Sequence, residues 1–296
     1  MGILDGKVAI ITGAGRGLGR SHARMMAAEG AKVVVNDLGG ELDGAGDSKT
    51  PAQAVVDEIA GQGGVAVANY DDVASWPGAE RLVRQAIDTY GRLDVLVNNA
   101  GILRDRMSFN MAEDDWDAVI RVHLKGHFAP TRFACVYWRE RHKAGEPIAG
   151  RIVNTASEAG VIGNAGQANY SAAKAGILAL TMVIAREMER YGVAANAIAP
   201  RAVTRMTETL FAAFGDDAMK QLEPQTVSSL VTYLASDRAA HVNGQAFIVY
   251  GGLIQLLQGW HPVASVEKTG SWQLADVEAR LSELFQSASS KLPPLG

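Results

Sequence analysis

The chain has 296 residues, 48% hydrophobic and 20% charged, which is the balance of an ordinary globular protein rather than a disordered one. Its 28 basic and 32 acidic residues leave a net charge of −4, so no global positive field points to nucleic acid. A lone Cys135 excludes an internal disulfide framework, no basic leader feeds an apolar segment, and the longest apolar run (175–185) is too short to cross a bilayer, so a cytoplasmic globule without membrane contact is expected.

Residues 7–12 (KVAIIT) and 32–36 (KVVVN) are near-continuous β-branched runs, a texture that suits strands buried on both faces of a parallel sheet. Similar runs recur at 65–69, 94–98, 151–155, 193–198 and 246–250. Between them lie amphipathic stretches at 16–29, 51–60, 78–90, 113–143, 169–191 and 225–236. Strand–helix–strand alternation demands right-handed crossovers, and several in succession build an open sheet. The expected fold is α/β: a single-domain, Rossmann-like doubly wound parallel sheet of about seven strands with helices on both faces.

Two segments break the rhythm. Residues 38–50 (LGGELDGAGDSKT) form a Gly/Asp-rich loop longer than the usual strand-to-helix connection. Residues 1–252 form the domain, and 253–296 are read as an extension that packs on that domain or on a partner subunit. The extension starts with an extended piece, then a helix over 273–286 in which Leu274, Val277, Leu281 and Leu284 share a face.

After the first strand comes Gly13-Ala14-Gly15-Arg16-Gly17-Leu18-Gly19, followed at once by a helical pattern. Glycines let backbone N–H groups approach a pyrophosphate at a helix N-terminus, where the dipole favours anions. The spacing differs from G-x-G-x-x-G, and a simple strand-to-helix loop is the competing reading. Asp37 ends the second strand, where a carboxylate can accept both hydroxyls of an adenosine ribose and repel a 2′-phosphate. Arg16 pulls the other way, since it could pair with such a phosphate; Asp37, fixed by its strand, favours NAD. Capping of the following loop is the second reading of Asp37.

Tyr170 and Lys174 stand at i and i+4 near the start of an Ala-rich helix, so both side chains project from one face. Ser157 closes the strand RIVNTAS, thirteen residues earlier. A carbinol loses hydride only if its hydroxyl proton leaves too, so a base must reach that oxygen. A phenol near pKa ~10 is a poor base until an adjacent ammonium and a nicotinamide cation stabilise its anion. Lys174 supplies the first charge and can hold the nicotinamide ribose; Ser157 can fix the substrate oxygen. Alone, Tyr-x-x-x-Lys is an ordinary surface pair; with Ser157, the glycine turn and Asp37 in order it reads as chemistry. His123 and His127 stand four apart without the Glu of a zinc-protease helix, and no metal site is expected.

Residues 12–19, Asn98-Asn99-Ala100-Gly101, Ser157, Tyr170 and Lys174 together resemble the short-chain dehydrogenase/reductase family over roughly residues 5–252. NNAGILRDR (98–106), DWDAVIRVHLKGHF (115–128), GNAGQANYSAAK (163–174) and IAPRAVTRMTET (198–209) are similar, within that family, to the (3R)-hydroxyacyl-CoA dehydrogenase module of peroxisomal multifunctional enzyme type 2. The resemblance implies that Asp72 and Val73 flank the adenine, that Asn99, with Ala100 and Gly101, lies by its ribose, and that Leu18 offers an amide to the pyrophosphate. It further implies that the segment from Pro200 through Val203 meets the carboxamide. Two departures stand out: His123 occupies the place of the usual Asn, and Pro200-Arg201 that of the usual Pro-Gly.

On the substrate side, Met206, Leu210, Phe211 and Phe214 follow a helix-like spacing that suits either a lid over an apolar chain or core packing. Arg104, Arg106 and Arg205 are candidates for CoA phosphates, or plain solvated charges. Gly160, Gly163 and Gly166 leave room before Tyr170. The expected activity is NAD-dependent oxidation of the 3-hydroxyl of a (3R)-hydroxyacyl-CoA with a fatty or steroid side-chain acyl group. A hydroxysteroid dehydrogenase, a 3-oxoacyl-carrier-protein reductase and a non-catalytic NAD-sensing protein are the alternatives. A homodimer or homotetramer is expected through the small-residue face of Ala172, Ala173, Gly176 and Ala179.

Overall fold

The β-branched runs form strands in the computed structural model, which describes residues 2–202, 222–259 and 261–285. In chain order they are β1 Val8–Thr12, β2 Lys32–Asn36, β3 Val65–Asn69, β4 Val95–Asn98, β5 Gly150–Thr155, β6 Val193–Pro200, β7 Ala246–Tyr250 and β8 Leu253–Leu257. The helices between them are α1 Gly17–Ala28, α2 Thr50–Gly61, α3 Trp76–Tyr90, α4 Glu113–Ile120, α5 Gly126–Lys143, α6 Ala159–Ile162, α7 Ala168–Met188 and α8 Pro224–Leu234. All strands join one sheet in the order β3-β2-β1-β4-β5-β6-β7-β8. The order reverses between β1 and β4, and in an open α/β sheet that reversal opens a crevice at the carboxyl ends of the strands.

Alternating side chains explain why the strands read as continuously apolar. Ala9 and Ile11 of β1 pack with Met26 of α1, Ile59 of α2 and Leu234 of α8; Val8 and Ile10 pack with Leu82 of α3, Trp138 of α5 and Ile184 of α7. Each residue of the strand therefore meets one of two helical layers, and no position is left for a polar face. Helix α7 is long and apolar enough by composition to cross a bilayer, but its buried stripe (Ala173, Ile177, Ile184, Met188 and the polar Asn169, Lys174 and Thr181) lies against the chain's own core.

The expectation of about seven parallel strands is met by seven, with β8 added antiparallel to β7, so the sheet runs to Leu257 rather than ending at residue 252. The apolar LIQLL run pairs because Gly251 and Gly252 allow a tight reversal after Tyr250. Residues Gln258–Gly296 form a separate unit. In it, helix α9 (Leu274–Arg280) starts where the Gln273 amide donates to Asp276 at 2.9 Å, and Lys268 pairs with the same carboxylate.

The single helix expected over 113–143 is split. Between α4 and α5 the chain makes one π-helical turn, Arg121–Lys125, in which the Gly126 amide reaches the Arg121 carbonyl. The extra residue turns His123 inward, where it is 1% exposed. The small-residue face expected on α7 also divides. Ala173 is buried in the chain's own core and Gly176 faces Leu124, so Ala172 and Ala179 alone of the four are exposed.

The 38–50 loop reaches across the crevice mouth. It leaves the end of β2, two strands from β4, yet Leu42 accepts from the Leu103 amide at 2.9 Å and Asp43 from Arg104 Nε at 2.8 Å. On the way, Gly40 accepts from Arg16 Nη1 at 3.1 Å.

Candidate active site

The glycine turn sits at the carboxyl end of β1, beside the strand-order reversal. Gly13 has φ +61°, and a Cβ there would lie 2.8 Å from the Ala100 α-carbon, so glycine is needed on both counts. Helix α1 opens on Arg16 with no side-chain cap and no acidic residue in its first turn. The N–H groups of that turn, Leu18 included, thus lack intrahelical acceptors and face the crevice as an anion cradle. A dinucleotide pyrophosphate fits this donor set.

Asp37 makes the loop cap that was one of its two readings, and a second contact that the sequence did not suggest. One carboxylate oxygen accepts from the Gly39 amide at 2.6 Å, the loop cap; the other accepts from the Gly15 amide at 2.7 Å, which turns it toward the glycine turn. Arg16, the competing charge, is tied to the Gly40 carbonyl and does not swing free. Asn99 donates through its side chain to the Thr12 and Gly13 carbonyls, both at 3.1 Å, and the Asn99 and Ala100 amides share Thr12 Oγ1. The Asn-Asn-Ala-Gly segment is thereby bolted to the end of β1. Asp72 accepts from the Ala74 amide at 2.8 Å and pairs with Arg121, while Val73 is buried beneath Gly126. Pro200 lies at the end of β6; Val203, like Arg205, Met206, Leu210, Phe211 and Phe214, lies outside the described residues.

The structure brings Ser157, Tyr170 and Lys174 together. Ser157 stands just past β5, its Oγ accepting from the Ala159 amide at 3.2 Å. Lys174 Nζ is 5.4 Å from the centre of the Tyr170 ring and donates to the Thr155 carbonyl at 2.5 Å. The other side of the phenol meets His123, edge-on at 5.1 Å and 86°. His123 Nε2 lies 2.8 Å from the Ile102 carbonyl and 3.1 Å from the Ile102 amide. One ring nitrogen serves one of these; the shorter contact makes Nε2–H a donor to the carbonyl and leaves Nδ1 a buried acceptor. Burial, with Lys174 adding to it, pulls the His123 pKa down to about 3, so the ring is neutral.

Desolvation dominates the electrostatics of the pair. Burial pushes the Tyr170 phenol up to about 12, against a downward pull from Ser157, and pushes the Lys174 amine down to about 7. Within the chain alone the phenol is not held low, as the expectation that a cofactor's charge is needed beside the ammonium requires.

Two contributors, Asn169 and Thr155, lacked a sequence signal strong enough to single them out, and Arg106 meets the site loop through its backbone rather than through the side chain that the sequence singled out. Asn169, fully buried, donates to the Arg104 and Asp115 carbonyls at 3.0 and 2.9 Å and accepts from the Tyr170 amide, fixing the first turn of α7. A lone amide before the tyrosine of an Ala-rich helix was the available hint. Thr155 supplies its carbonyl, which no side-chain pattern reports. Arg106 pairs with the loop before Tyr170, its amide donating to Gly166 at 2.8 Å; Gly163 and Gly166 occupy that loop, whereas Gly160 packs against the Lys174 backbone.

The family described as short chain dehydrogenase matches residues 7–213. A hydroxyacyl-CoA dehydrogenase, ChsB1, of Mycobacterium tuberculosis is 49% identical over 292 residues, covering 95% of this chain and 89% of that protein. Peroxisomal multifunctional enzyme type 2 of Mus musculus is 46% identical over 254 residues, 86% of this chain but 33% of the mouse protein. The crystal structure of a short chain dehydrogenase from Mycobacterium avium superposes with a TM-score of 0.89 at 49% identity, covering 100% of both chains.

Proposed function

The chain belongs to the short-chain dehydrogenase family and is an oxidoreductase of that kind; from this premise we propose that it oxidises the 3-hydroxyl of a (3R)-hydroxyacyl-CoA to the ketone, with NAD as cofactor. The observation that carries the reading is the Ser157–Tyr170–Lys174 cluster, set at the carboxyl end of β5 beside an uncapped α1 N-terminus. The CoA thioester rests on the activity named for the mycobacterial relative; a fatty or steroid side-chain acyl group is part of the proposal.

NAD would supply the hydride acceptor and a positive charge beside the phenol. The chain's own residues do the rest. Tyr170 takes the hydroxyl proton as the carbinol carbon gives up its hydride, and Ser157 holds the oxygen on which the carbonyl forms. Bringing a phenol from about 12 to neutral pH takes about 7 kcal/mol. One unit charge ~4 Å away gives ~4 kcal/mol at an effective dielectric of 20, so two charges, the Lys174 ammonium and the cofactor's, are needed together. Asp37 favours NAD because its carboxylate, held at the turn by Gly15, would face any 2′-phosphate. That preference also argues against an NADPH-linked carrier-protein reductase. We also propose a homo-oligomer. Exposed Phe128 and Val136 of α5 and Met182 and Val183 of α7 favour these helices as the contact.

The test is NAD+ reduction against a panel of CoA thioesters, free steroids and simple alcohols. Turnover confined to 3-hydroxyacyl thioesters supports the reading; turnover of free steroids alone overturns the thioester assignment.

A further inference from the structure

Arg201 stands where the sequence breaks the usual Pro-Gly, and it is not an idle surface cation. Its Nε and Nη2 donate to the two carboxylate oxygens of Glu158 at 2.5 and 2.7 Å. Glu158 is the residue after Ser157, and Arg201 the residue after Pro200. The fork thus ties the serine loop to the end of β6. Arg201 is itself anchored: its amide donates to Val249 at 3.1 Å, and its guanidinium lies 4.7 Å from the centre of the Tyr250 ring.

Why the loop needs a tie follows from its length. Helix α6, which Glu158 precedes, has four residues, too few to hold itself. On one side the loop leans on α7, where a Cβ on Gly160 would lie 2.6 Å from the Lys174 carbonyl carbon. On the other side the Ala156 amide, just before Ser157, donates to Ile198 of β6 at 2.7 Å, and just after Ser157 the Arg201 fork adds the side-chain tie. The side chains are 29% and 21% exposed, so the pair adds little to stability. Its geometry is another matter, because a planar guanidinium gripping both oxygens fixes angle as well as distance.

We propose that Arg201 and Glu158 are a positioning pair for Ser157: the fork sets where the serine hydroxyl stands relative to Tyr170, and so governs kcat rather than cofactor binding. This rests on the role of Ser157 proposed above, and the experiment separates the two.

The measurement is steady-state kinetics with the best thioester of the panel and NAD+, alongside NADH affinity by fluorescence and thermal melting. Arg201→Met should lower kcat about 10–100-fold while NADH affinity stays within about twofold. Arg201→Lys, a point charge without the fork, should fall between. In a Ser157→Ala background the same Arg201→Met change should cost less than about threefold, since the group it positions is gone. Joint exchange, Glu158→Arg with Arg201→Glu, should recover much of the lost kcat. An equal loss in both backgrounds, or no loss in either, overturns the proposal. If Ser157→Ala is inactive and Arg201→Met is not impaired, the pair's role alone fails; if Ser157→Ala turns over normally, the serine assignment fails and takes this with it. Should Arg201→Met not fold, Arg201→Lys and Glu158→Gln carry the test, and unchanged kcat in both overturns it.

Discussion

Lys174 donates to the Thr155 carbonyl at 2.5 Å, so the amine one turn beyond Tyr170 is held from behind by the last residue of β5. It is 2% exposed, and burial carries its pKa from 10.5 down to about 7. The unfolded chain keeps this proton up to its ordinary pKa, whereas the folded chain releases it near 7. Between these values the unfolded state binds more protons, so stability rises with pH, by about 1.4 kcal/mol per unit, and is lost as pH falls toward 7. Urea denaturation of the wild type and of Lys174→Met across that range should show a gap that narrows as pH rises. Parallel curves would show that the amine is not desolvated.

Tyr170→Phe removes the proton acceptor and little else. Turnover should fall about 10²–10⁴-fold, the usual worth of a positioned acid–base group. NADH affinity should stay within about twofold. Retained turnover would exclude the phenol as the base.

A side chain at residue 101 has no room, because the Cβ would lie 2.4 Å from His123 Cε1. Gly101→Ala should therefore destabilise by about 1–3 kcal/mol through overpacking. Against a His123→Ala background the same change should cost far less, and a chemical-denaturation cycle reads the difference. Additive losses would mean that the two residues do not press on one another.

Asp37→Ala should narrow the ratio of NAD+ to NADP+ kcat/KM. Part of the effect comes from losing repulsion of a 2′-phosphate; part comes from freeing the Gly15 and Gly39 amides, which weakens NAD+ itself. An unchanged ratio would place the discrimination elsewhere.

Much of this fold is written locally. Val8 through Thr12 and Lys32 through Asn36 declare two-sided burial in their own composition, and the glycines after them declare a turn. The chemistry-bearing trio is legible because Tyr170 and Lys174 are one helical turn apart. What escapes is what depends on a partner far along the chain. The π turn at His123 adds one residue to an otherwise regular helix, a change that periodicity does not register; the ring it carries inward lies against Gly101, 22 residues earlier. Ala173 and Gly176 read as a contact face, yet which side of α7 meets the core is decided by α4 and β6. Nor does any local pattern join Glu158 to Arg201, 43 residues apart.

The 38–50 loop, hydrogen-bonded to residues 103 and 104, has a consequence for timing. A strap laid from one bank of the crevice to the other should slow leaving relative to reacting, if Leu42 and Asp43 let go of their partners at each release. The first catalytic cycle should then outrun those that follow, and rapid mixing should reveal a burst of NADH. Shortening the strap should abolish that burst while steady turnover rises.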